Sequence, residues 1–449
     1  MPMFRSALIG PALALALAPV SSGVSLGGEA AERLPAPVTD AMYAPVDRAE
    51  AELGQLLFYD PILSGNRTVA CASCHHPRFG TSDGLSLSLG DGGVGLGPDR
   101  KADPENMPEE RVPRNAQALF NLGAREFTVL FHDGRIEVDP SRPSGFRTPL
   151  EGDMPAGFAS LLAAQTMFPV ISPDEMAGHY SENDVSRAVR LGRFTGADGA
   201  WALISGRVAA IPAYREMFEA VYPEIAAGRP IDFADVSNAI AAFMAFEWRS
   251  DDSPFDAALA GGAPLEGAAA EGMALFYGEA GCSGCHGGPF FTDHKFHAMG
   301  AWQLGPGKAA RFERHARDEG RMEVTGRPED AFSFRTPSLR NVAITGPWGH
   351  AGGHTDLAAF VRDHAAPHTA APTRVAALPT LADADDWAVA ADAGEMAAIR
   401  AAIEVDDRTL TPAVIDALVA FLETLTGATA RNGPLGVPET VPSGLPVPD

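Results

Sequence analysis

Two pentapeptides, Cys71-Ala72-Ser73-Cys74-His75 and Cys282-Ser283-Gly284-Cys285-His286, contain every cysteine of the chain. Two thiols at this spacing, followed at once by an imidazole, suit covalent attachment of haem. The thiols add to the vinyl groups and the histidine binds the iron from beneath. Zinc sites and redox dithiols also use Cys-x-x-Cys, but paired zinc motifs rarely carry a histidine after both pairs. The spacing therefore predicts two haem c groups, one on Cys71, Cys74 and His75 and one on Cys282, Cys285 and His286. All four cysteines are then used, so no disulfide is expected.

The elements that must position these motifs show a short repeat. Gly54-Gln55-Leu56-Leu57-Phe58-Tyr59 precedes the first pentapeptide and Gly272-Met273-Ala274-Leu275-Phe276-Tyr277 precedes the second. In each case a short helix is expected to lead into the haem-binding turn, as in two cytochrome c-like units in tandem. Apolar residues spaced by threes and fours predict further helices over Val185–Arg193, Phe233–Trp248 and Pro412–Leu425, with Gly427 capping the last. No succession of alternating strands is evident. The fold class is expected to be mainly α, with long irregular connections. Its divisions would be 24–250 around the first haem, 251–430 around the second, and a Pro-rich tail over 431–449; Leu34–Pro45 reads as another extended arm.

Arg5 is followed by small and apolar residues from Ala7 to Val20 and then by Ser21, Ser22 and Gly23. This reads as a signal peptide over 1–23, too short in its apolar core to span a bilayer securely, and it points to export into a periplasm. The formal net charge of −24 argues against nucleic acid or anionic lipid as a partner and favours one with a basic face, such as a small cationic electron carrier.

Further blocks carry a resemblance. They are Arg114-Asn115, Phe131-His132-Asp133-Gly134-Arg135, Gln165 with Glu175-Met176, Phe334-Arg335-Thr336-Pro337-Ser338-Leu339-Arg340-Asn341-Val342, and Phe421-Leu422-Glu423-Thr424-Leu425-Thr426-Gly427. In order and approximate spacing, from Leu53 to Gly427, the chain resembles the bacterial di-haem cytochrome c peroxidases and the related MauG group. The resemblance implies that the N-terminal haem meets hydrogen peroxide while the C-terminal haem is six-coordinate and supplies or stores an electron. Gln165, Pro169 and Glu175 would line the reactive side of the first haem. Glu175 would be the acid-base group, although from pattern alone Ser172-Pro173-Asp174-Glu175 reads as a solvated helix start.

The same resemblance gives His286 a partner on the opposite face of the second haem, at His364, with His368 and Met299 as competitors. A bis-histidine pair would lower the potential relative to a His/Met pair. Met107 stands where some members carry a histidine that blocks the first haem, and a loop methionine is the simpler reading. His132 replaces the tryptophan commonly set between the haems; Trp302 and Trp348 are other aromatics that could help, and a bond from His132 to a haem propionate is the structural alternative. One calcium ion is implied, held by the Asn115 side chain and the carbonyls of Thr345 and Pro347.

The activity expected is reduction of peroxide with electrons from a small cytochrome c or a copper protein. MauG-like oxidation of side chains on a protein partner is the alternative, and a non-catalytic electron carrier or redox sensor is a third class. Homodimers are common among such proteins.

Overall fold

The computed structural model describes residues 34–305, 315–370 and 377–449. The expected signal peptide lies outside them. Six helices frame the two Cys-x-x-Cys-His turns: α1 (Arg48–Tyr59), α2 (Leu161–Thr166), α3 (Phe233–Glu247), α4 (Gly267–Tyr277), α5 (Leu357–Ala365) and α6 (Pro412–Glu423). Further helices, Ala200–Ala209 and Pro212–Val221 among them, and turns fill the intervals. Among the described residues the strands are two or three residues long and pair antiparallel, as in Val129–Leu130, Ile136–Val138 and Phe146–Arg147.

The repeated hexapeptides close α1 and α4, and their glycines explain the repeat. A Cβ on Gly54 would lie 1.8 Å from the carbonyl oxygen of Ala239 and 2.9 Å from Phe243 Cβ; on Gly272 it would lie 1.8 Å from that of Ala417 and 2.9 Å from Phe421 Cβ. Each glycine is therefore a crossing point, where α1 meets α3 and α4 meets α6 backbone to backbone. The aromatic pairs that follow pack alike. Phe58 and Tyr59 lie 5.3 and 6.2 Å from Phe243, and Phe276 and Tyr277 lie 5.2 and 6.2 Å from Phe421. Asp47 caps α1 by accepting from the Glu50 amide, and Thr411 caps α6 by accepting from that of Val414.

The helices expected from periodicity form over Asp184–Arg190, Phe233–Glu247 and Pro412–Glu423. Gly427 does not cap the last. The helix ends at Thr424, and the Gly427 amide instead donates to the Asn341 side chain at 2.8 Å, tying the end of α6 to the loop before the Val342–Ile344 turn.

Two main apolar cores result, one built from Tyr43 to Trp248 and a smaller one from Phe255 to Leu425. The Pro-rich tail belongs to the first. Val441 is buried there with Leu445 and Val447 beside it, Glu247 accepts from the amides of Leu435 and Gly436, and Gln55 donates to both their carbonyls. Lacking regular partners, this extended segment satisfies its backbone through side chains.

Candidate haem centres

At the first pentapeptide, Cys71–Ser73 forms one 3-10 turn after α1, so both thiols and His75 project from a single tight loop. His75 Nδ1 donates to the Thr81 carbonyl at 3.0 Å. That bond fixes the tautomer and leaves Nε2 with a free lone pair. Burial lowers the imidazole's proton affinity and pushes the thiols of Cys71 and Cys74 up to about 12 and about 11. Free thiols held so firmly protonated are poor redox dithiols, which need accessible thiolates; thioether formation removes that conflict.

Gln165, Pro169 and Glu175 sit on one irregular run, α2 followed by a 3-10 turn (Pro169–Ile171) and a π-helical turn (Pro173–Ala177). Each is half-buried, whereas Ala163, Ala164, Met167, Val170, Met176 and Ala177 around them are buried. The wide turn, a form frequent at functional sites, is clasped on both sides. The Gly65 amide donates to the Met176 carbonyl at 2.7 Å, and Gly90 has no room for a Cβ, which would lie 2.1 Å from the Asp174 carbonyl oxygen and 2.7 Å from Glu175 Cα. Glu175 lies close enough to Cys74 for its charge to add to the rise in that thiol's pKa, after burial and Asp83. Gln165 Oε1 is buried without a hydrogen-bond partner, a position that calls for a bound group.

At the second pentapeptide, Cys282–Gly284 repeats the 3-10 turn, and His286 Nδ1 donates to the Phe291 carbonyl at 3.2 Å. His364, on α5, faces it with ring centres 6.3 Å apart. With metal–nitrogen bonds of about 2 Å and roughly 1.1 Å from nitrogen to ring centre, two imidazoles sharing one metal stand about 6 Å apart. The spacing fits one iron between them. Phe360, one turn earlier, stacks on His364 at 5.4 Å, and burial, with His286 and His354 nearby, pushes His364 down to about 4, keeping it neutral and able to ligate. His368 is not so placed: it is exposed and its ring meets Asp407. No imidazole faces His75 in this way among the described residues.

Segments from both halves of the chain meet in a polar knot. Asp318 Oδ2 is 2.9 Å from Arg114, 3.0 Å from His132 Nε2 and 3.4 Å from His350 Nε2. Burial alone would raise Asp318, but His132, His350 and Arg114 hold it well below the usual carboxylate range; burial and Arg114 push His132 down to about 3 and His350 to about 4. Arg335 is different. It is buried, and among the described residues its bonds go only to carbonyls and no carboxylate lies beside it; burial lowers it to about 10. An unpaired buried guanidinium fits an anionic group such as a haem propionate.

A family model described as di-haem cytochrome c peroxidase matches residues 48–263. MauG of Methylorubrum extorquens, a methylamine utilization protein, is 30% identical over 336 residues, covering 74% of this chain and 72% of the relative. The chain belongs to the di-haem cytochrome c peroxidase family. The cytochrome c551 peroxidase of Pseudomonas aeruginosa is 27% identical over 320 residues, 71% of this chain and 72% of its own. A solved MauG-like protein associated with microbial copper homeostasis aligns with a TM-score of 0.57 at 26% identity, covering 90% of this chain and 96% of that one.

As a di-haem cytochrome c peroxidase family member the chain implies two haem c groups, which the residues above fit. Three expectations gain detail. Met107 is 48% exposed on its loop, pointing away from a ligand role. His132 engages Asp318 through Nε2, and Arg335, a residue quoted only as part of a motif, is a buried cation bonded to the carbonyl of Phe131, next to His132 in sequence. For calcium, a Cβ on Gly352 would lie 2.9 Å from the Asn115 amide nitrogen and 3.1 Å from the Pro347 ring, so Asn115 and the Pro347 loop converge. Asn115 donates its Nδ2 to the Leu85 carbonyl, leaving Oδ1 as a donor suited to a hard cation. Asp318 and His350 were missed in the sequence because neither stands in a motif; only folding brings them to Arg114 and His132. Among the described residues no helix is long and apolar enough to cross a membrane.

Proposed function

We propose that this chain is a periplasmic peroxidase that reduces hydrogen peroxide to water at the His75 haem, using electrons delivered through a His286/His364 haem. The asymmetry of the two centres carries the reading. A neutral imidazole faces His286 across a metal-sized gap, whereas the side near Cys74 presents a half-buried carboxylate and an unpartnered amide oxygen at Glu175 and Gln165. One centre is built to hold electrons, the other to receive a small ligand.

When bound, haem supplies the redox-active iron. Glu175 takes the proton from one peroxide oxygen and returns it to the other, which leaves as water, while Gln165 orients the ligand by hydrogen bonding and Pro169 shapes the wall. Each turnover consumes one peroxide, two electrons and two protons and yields two waters. Two cytochrome c-like units in tandem, divided near residue 250, are supported by the repeated glycine crossings. Calcium on Asn115 and the carbonyls of Thr345 and Pro347 would fix the units relative to each other. The electron donor would be a small cytochrome c or a cupredoxin. The second reading, MauG-like oxidation of side chains on a protein partner, draws on His364, a non-methionine ligand.

The test is stopped-flow absorption of the di-haem protein with stoichiometric peroxide, first fully oxidised and then carrying one electron, followed by turnover with reduced cytochrome c. Sustained turnover supports the peroxidase. Rapid reaction of the oxidised form without turnover favours the protein oxidase, and no reaction in either state rules out both.

A further inference from the structure

Trp302 packs with Leu87, Leu304 and Ala351 where the two units meet. Its indole lies against Gly353, where a Cβ would come within 2.3 Å of it. Each neighbour leads to a haem centre. Leu87 precedes Ser88, whose Oγ is 3.6 Å from Cys74 Sγ; Gly353 precedes His354, whose Nε2 is 3.0 Å from Asp363 beside His364. On its far side Trp302 meets Trp387, ring centres 6.1 Å apart, and Trp387 is 36% exposed. The pair is held in place by backbone bonds from Val389 and Ala390 to the Leu304 carbonyl and by the ion pair of Arg111 with Asp386.

We propose that Trp302 and Trp387 form an electron route from the region between the haems to the surface. Indole gives up a single electron without having to release a proton more readily than the other aromatic side chains, and two indoles in near contact pass single electrons faster than aliphatic packing does. The step is balanced. The peroxide-oxidised centre draws one electron from Trp302, Trp302 draws one from Trp387, and the external donor returns one electron to Trp387; both indoles end in their starting state, and two such transfers meet the two-electron demand of one peroxide. Entry lies at the exposed indole, with exposed Asp383 and Asp385 close by in sequence, rather than at the surface near the second haem alone. This inference rests on the peroxidase reading.

The experiment compares wild-type di-haem protein with Trp387→Phe, Trp387→Tyr, Trp302→Phe and the double Phe variant, all with haem spectra verified. With reduced basic cytochrome c as donor, Trp387→Phe should lower donor oxidation about tenfold or more, Trp387→Tyr should recover part of it, and the double variant should be no worse than either single change, as for groups acting in series. With peroxide and no donor, an indole radical should be seen by electron paramagnetic resonance, and oxygen addition at Trp387 by mass spectrometry, only while both indoles are present. Unchanged donor oxidation with no radical and no label would overturn the route while leaving the peroxidase intact. Failure of the wild-type protein to consume peroxide would overturn both.

Discussion

Glu175 owes its position to backbone on either side of it, not to partners of its own carboxylate, because Gly65 and Gly90 grip the turn that carries it. Glu175→Gln should therefore leave the haem spectra intact and lower peroxide turnover by roughly a hundred- to ten-thousand-fold, measured by donor oxidation at saturating peroxide. At the second centre, His364→Met should raise the haem potential, since it exchanges nitrogen for thioether; potentiometric titration reads it, and an unmoved potential would remove His364 from the iron. These residues were legible in unequal ways. The pentapeptides declare themselves by spacing, and His364 and Glu175 are expected through family register, but the burial of Arg335 and the convergence on Asp318 arise from contacts between segments far apart in sequence.

The helices depend on two glycines and one strap. Gly272→Ala would push a methyl group into the Ala417 carbonyl and separate α4 from α6, costing about 1–3 kcal/mol or more by overpacking. A lowered thermal midpoint with loosened His286 haem spectra is expected. Glu247 offers a pH test. Burial raises its carboxyl to about 7 although the Leu435 and Gly436 amides favour the charged form. With a folded value above the unfolded one, its contribution is fully present below the unfolded pKa near 4.5 and is lost as pH rises through about 7, a change on the order of 2–3 kcal/mol. Glu247→Gln should flatten that part of the profile of thermal midpoint against pH. The hexapeptide repeat, visible in sequence, marks these helices because close crossing demands glycine. The docking of the tail was not visible, because an extended Pro-rich segment shows no periodicity whether it lies free or is pinned by Glu247 and Gln55.

At the scale of the molecule, the two units proposed above would be joined by a charged knot and by a loop convergence, and each can be perturbed alone. Asp318→Asn removes the negative charge that faces Arg114, His132 and His350. Leaving a buried guanidinium without its partner is expected to cost about 3–5 kcal/mol, and calorimetry should then resolve separate unfolding of the units. Chelation of calcium should slow electron exchange between the haems without altering either haem's ligands, measured by flash reduction of one and reoxidation by the other; an unchanged rate would argue against a calcium role in that exchange.

The returning tail also sets an order of assembly. Val441, Leu445 and the amides of Leu435 and Gly436 complete a core that begins at Tyr43. A ribosome makes that first core's opening elements early but its closing strap only after the whole second unit, so the first unit is the one finished last. Until then its flank along α1 and α3 stays open, giving the haem-attachment machinery an interval in which the first pentapeptide's surroundings are still unlatched.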